Sequence, residues 1–222
     1  MAKKLLSVSN EALASGSGSL YISKTGIYDV TIKFASVEQS KSGATQINFN
    51  IEHDGNTQAI YGPYISSKDG TPIKMGIKFL TELGILAGLE EGDDLTTEEE
   101  TFKVGKDGKE KEFTIIPELS DLEVKIRLQE EYSSYNGEIS KRMVVKAFYR
   151  AKDGASAEEI TNKSEIGVRL AKDQAYATDV TYTDTTAEEV EEWKKARAEA
   201  AKAPKAEPKA AVKATGSVFK KQ

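Results

Sequence analysis

The chain has 222 residues, 38 % of them apolar and 30 % charged, with a net charge of −5 and no cysteine. That composition supports one good-sized core with appendages and excludes disulfide staples, thiolate nucleophiles and zinc–sulfur sites. No apolar run reaches membrane-spanning length and the opening MAKKLLSVSN is too polar for a secretory segment, so a soluble, cytoplasmic protein without a membrane partner is expected.

Residues 1–19 read as a flexible arm. In 25–39, Tyr28, Val30, Ile32 and Phe34 alternate with Asp29, Thr31 and Lys33, the period of a half-buried strand. Turn chemistry at 40–43 leads into a second strand, with Ile47, Phe49 and Ile51 inward and Gln46, Asn48 and Asn50 on the other face. Asp54 and Gly55 turn the chain into a third strand over 56–66, where Gly62 and Pro63 predict a bulge, an edge or an early end. Thr71 and Pro72 are expected to open a helix, as N-cap and first helical residue, that runs to about Leu86.

Residues 89–117 form an acidic insertion, with ten acids against four bases, and contain a small hairpin in which Phe102 and Val104 face Phe113 and Ile115. Two further alternating strands follow over 121–132 and 139–152, joined by a loop that carries Tyr132 and Tyr135. Residues 156–186 are expected to pack outside the main sheet. A helix with acids early and bases late spans 187–203, and the rest of 187–222 reads as a flexible Ala/Lys/Pro tail.

The order β-β-β-α-β-β predicts a mainly β chain: a five-stranded OB-fold barrel over 20–186, with a helix plugging its open end. A Greek-key sandwich and an SH3-like barrel are the competing plans. The chemistry points away from an enzyme, a cofactor or a metal. His53, the one histidine, reads as a solvated turn residue, and no nucleophile elbow, P-loop or G-x-G-x-x-G pattern is present. The acids of the insertion lack EF-hand spacing and read as a solvated loop.

Bases interleaved with aromatics carry more information. Lys125, Arg127, Lys141, Arg142, Lys146 and Arg150 lie on the last two strands, Tyr61 and Tyr64 on the third, and Tyr132 and Tyr135 at the hairpin between the last two. Single-stranded nucleic acid is bound by this combination, because bases stack on aromatic faces while cations track the phosphates. These ten residues are the candidate interface. A solvated charged face with half-buried tyrosines is the structural alternative for each of them.

The stretch TGIYDVTIKFASVEQSKSGATQINFNIEHDG, followed by YISSKDG and a helix ending in LGILAGL, resembles the bacteriophage single-stranded DNA-binding proteins with an OB-fold. Gly26, Tyr28, Val30, Lys41 and Gly43 match the family's opening hairpin, and the similarity spans roughly 20–155. The resemblance implies a role in phage DNA replication or recombination, coating single-stranded DNA and recruiting phage replication proteins. The chain departs from it at its end, where Lys220 and Lys221 follow Phe219 in place of an acidic tail. A protein-binding module, such as a phage structural or assembly protein, is the other functional class that these aromatics allow.

Overall fold

The computed structural model describes residues 21–104 and 108–202. The arm expected over 1–19 and the tail beyond 202 lie outside the described residues. Within them the chain is mainly β: β1 (Gly26–Gln39), β2 (Thr45–His53), β3 (Asn56–Ser66), β4 (Glu98–Val104), β5 (Lys109–Ile116), β6 (Leu122–Tyr135), β7 (Glu138–Arg150) and β8 (Val180–Thr183). Helices α1 (Lys74–Ala87), α2 (Ala157–Asn162), α3 (Val168–Gln174) and α4 (Ala187–Lys202) connect and cover them, and none is long and apolar enough to cross a membrane.

All eight strands belong to one open sheet, antiparallel except for the short β6–β8 pair. The long β1 organises it. One edge of β1 pairs with β2, which pairs with β3; the other edge takes β6 along Gly26–Ile32 and β5 at Ala35 and Ser36. The acidic insertion is therefore part of the sheet and not a satellite. Its register sets Phe102 opposite Lys111 and Phe113 opposite Glu100, so the expected direct pairing of aromatics becomes a diagonal one, with ring centroids 6.2 Å apart. Phe102 instead stacks on Phe34 at 4.0 Å.

β3, β4, β7 and β8 each have a single partner, and of these edges β3 and β7 come close to each other. The chain of antiparallel pairings from β3 through β2, β1 and β6 to β7 makes the two run in the same direction. Their Cα atoms approach within 8 Å, yet no ladder joins them, so the sheet curls without closing. The expected closed five-stranded barrel is thus corrected to an open eight-stranded sheet. Side chains bridge the seam where the backbone does not: Phe148 of β7 meets Phe49 of β2 and Phe79 of α1 edge-on, each at 5.3 Å. Around them Ile32, Ile47, Ile51, Ile126 and Leu128 are completely buried, each contributing about 1.5–3 kcal/mol by leaving water.

Helix α1 begins later than the sequence suggests. Ile73 is its N-cap, without a side-chain cap, while Pro72 forms a bridge with Ser66. The Asp69 carboxylate closes this small turn by accepting from the Ser67 hydroxyl and the Thr71 amide, which lowers its pKa to about 2. Gly76 explains how closely α1 lies on β3. A Cβ there would stand 2.1 Å from the Tyr64 carbonyl oxygen, a backbone atom that cannot swing aside. Gly76→Ala is expected to lower the urea unfolding free energy by about 3 kcal/mol, at the upper end for an overpacked site.

After β7, α2 packs against α1, and α3 covers the face of β6 and β7 that carries Arg127 and Tyr149. Ser156 and Glu159 form a reciprocal cap on α2, and the Glu159 carboxylate also accepts from the Gly167 and Arg169 amides. Helix α4 is not an appendage either. It buries Val190 and sets Trp193 edge-on to Tyr132, which also stacks on Tyr182 of β8.

Candidate nucleic-acid interface

Tyr61 and Tyr64 are three residues apart, a spacing that ordinarily puts side chains on opposite faces of a strand. Gly62 and Pro63 change this. The β2–β3 register passes from Asn48↔Tyr61 to Gln46↔Tyr64, so two residues of β3 stand against Ile47 alone. Cross-strand partners share a face, and both tyrosines consequently join Gln46 and Asn48 on the outer face of the sheet. Glycine is required at the bulge because a Cβ on residue 62 would lie 2.6 Å from the Phe49 ring and 2.8 Å from the Ile47 carbonyl. Gln46 holds the bulge by donating from Nε2 to the Gly62 carbonyl at 2.9 Å. Tyr61 is 69 % exposed and Tyr64 43 %, so both rings offer a face to solvent.

Across the seam, β7 carries a second bulge. The β6–β7 register jumps from Arg127↔Ala147 to Leu128↔Val145 and leaves Lys146 unpaired in the ladder and exposed. Its ammonium has no ion-pair partner among the described residues. Between the two bulged edges runs a groove of about 1050 Å³ that brings together Tyr61, Tyr64, Lys141, Arg142 and Lys146. Lys78 of α1 and Arg169 of α3 also line it, against the acids Glu82 and Glu158. The sequence reading missed Lys78 and Arg169, since nothing in the local pattern says which helix will border the seam.

The other candidates are placed differently. Tyr132 and Tyr135 are not on a loop: β6 continues through Tyr135, and the turn consists of Asn136 and Gly137, both at positive φ. Tyr135 stands at the tip, 80 % exposed. Tyr132 is 1 % exposed and donates its hydroxyl to Glu130 at 2.9 Å, so it has no free face for a base. Burial first, and then the Glu130 carboxylate, push its hydroxyl pKa up.

Several cations are engaged inside the protein. Lys125 pairs with Asp29, and Arg150 holds Asp153 with two bonds of 2.7 and 2.9 Å. Lys141 donates to the Ser23 carbonyl at 2.6 Å and lies 3.1 Å from Glu130. Arg142 meets Glu131 at 2.6 Å but remains largely exposed. Arg127 is mostly buried and lies 2.9 Å from Asp173.

That last pair belongs to a buried network. Asp173 accepts from the Tyr149 hydroxyl and from Arg169 Nε at 3.2 Å and ion-pairs with Arg127, tying α3 to β6 and β7. Burial opposes the charge on Asp173, but the Tyr149 bond, the Arg127 charge and the Arg169 bond together outweigh it and hold the carboxyl below its usual range. The Tyr149 hydroxyl is pushed up by burial and by its bond to that carboxylate. Arg127 and Tyr149 serve the fold here, and the accessible candidates are the Tyr61–Tyr64–Lys146 groove with Arg142 at its side and Tyr135 at the hairpin tip. No protein-family model matches the chain, and no curated protein matches it.

Proposed function

We propose that the protein binds single-stranded DNA without strong sequence preference, through the groove between β3 and β7, as a non-catalytic OB-fold protein of the phage single-strand-binding type. One observation carries the reading: two separate bulges turn a pair of tyrosines and an unpaired lysine toward the same seam. Bulges recur next to functional sites because they re-aim side chains at a local cost in pairing. Stacking surfaces on one side and cations on the other are what a flexible, negatively charged strand of bases requires. The strand plan supports the OB reading, since three meander strands and a helix precede β6 and β7, and β3 and β7 face each other in parallel. In phage replication or recombination such a protein would keep transient single strands open for phage replication proteins.

The test is a titration of the full chain into labelled oligo-dT and a matched duplex at two salt concentrations. Preference for the single strand is expected, with a log–log salt slope of roughly −1.5 to −2 for two or three neutralised phosphates. Equal or absent binding to both would overturn the reading and favour a protein partner.

A further inference from the structure

Resting on that reading, we infer how the strand lies in cross-section: phosphates along β7, bases turned toward β2, and Asn48 as the residue that touches a base edge. From β7 inward to β4, the surface changes character in order. First come the cations Lys146 and Arg142, then the rings of Tyr61 and Tyr64, then the uncharged amides Gln46 and Asn48. Beyond β1 lies the β4–β5 hairpin, where the exposed Glu98, Glu99, Glu100, Glu110 and Glu112 outnumber the exposed Lys103, Lys109 and Lys111. A phosphate backbone is attracted to the first side and repelled by the last, so the bases point the other way, over β2.

Asn48 has an unmet need that a base would satisfy. Its Oδ1 is buried and has no hydrogen-bond partner, and its cross-strand neighbours are Ser36 and Tyr61. Gln46, by contrast, is already committed to the Gly62 carbonyl. A buried acceptor without a donor is costly and rare in a finished fold. Tyr61 is exposed enough to leave Asn48 for a base without unpacking the core. Every base carries an N–H group on an edge or an acceptor that the two-ended amide can match, which suits sequence tolerance.

Asn48→Ala and Lys146→Ala are compared with the parent chain by titration into oligo-dT across a salt series and into an abasic strand of equal length at low salt. Asn48→Ala is expected to weaken oligo-dT binding about two- to tenfold, the loss of one hydrogen bond, without changing the salt slope. It should bind the abasic strand like the parent. Its melting temperature should hold or rise, because an unsatisfied acceptor has been removed. Lys146→Ala is expected to weaken both strands and make the slope shallower by roughly 0.7. Unaltered oligo-dT affinity in Asn48→Ala, or equal losses on both strands, would overturn the inference while leaving single-strand binding intact. A parent chain that binds neither strand would overturn the proposed function itself.

Discussion

Replacing Tyr61 and Tyr64 together with alanine is expected to lower single-stranded DNA affinity by roughly thirty-fold or more, since each stacked ring contributes about 1–3 kcal/mol. The same double variant should melt within a few degrees of the parent. Both rings stand on the outer face, and neither belongs to the packed cluster under the sheet. Phenylalanine at both positions keeps the stacking surface and should restore most of the affinity. Anisotropy titration and a thermal melt on the same preparations decide the matter. An unchanged affinity would remove the tyrosines from the interface. A large fall in melting temperature would assign them to the fold.

A large effect on stability is expected at Asp173. Asp173→Ala would leave the mostly buried Arg127 without its partner and would free the Tyr149 hydroxyl, so a loss of about 3 kcal/mol, the lower end for a buried pair, is expected in urea unfolding. Adding Arg127→Met should recover part of that loss, because the stranded cation is removed with it. The pH dependence follows from the direction of the shifts. Asp173 and Glu159 both have folded pKa values below the ordinary carboxylate range, Asp173 through Tyr149, Arg127 and Arg169 and Glu159 through backbone amides, in each case against the opposing effect of burial. Their stabilisation is therefore complete above an unfolded carboxylate pKa of about 4 and is lost as pH falls through the lower folded values. Urea midpoints should be flat with respect to these two groups between neutrality and about pH 5, then fall. In Asp173→Ala the acid-side fall should be shallower. A midpoint unaffected by Asp173→Ala would show that the network adds nothing to the fold.

Much of the strand plan was legible locally. Alternation along 28–32, 45–53 and 122–128 is strict, and a half-buried strand has no other simple pattern; at Phe34 a shift in β1 breaks it and sets that ring opposite Asn50 and onto Phe102. Gly62 and Pro63 pointed to a bulge, an edge or an early end of β3; the structure has a bulge on an edge strand, and its consequence is two tyrosines on one face. Tyr132 shows the limit. EYSSYNGEI carries a loop's composition, but Asn136 and Gly137 make a two-residue turn that lets β6 run on past both tyrosines. Parity then sends Tyr132 under α4 and Tyr135 into solvent, and the helix that covers Tyr132 begins 55 positions after it, at Ala187.

By itself, the sequence determined the periods, the turns and the charge of each segment, because these depend on residues within a few positions of one another. It also supplied the residue types of a cation–aromatic surface. Only the tertiary structure decided which of those residues remain free. Arg127 and Asp173 are far apart in the chain and indistinguishable from solvated charges until α3 folds onto β6. Lys146 looks like any other strand lysine until a register jump removes its place in the ladder. Whether a charge is satisfied within the fold or left open to a ligand depends on long-range pairing, and local sequence does not encode that pairing residue by residue.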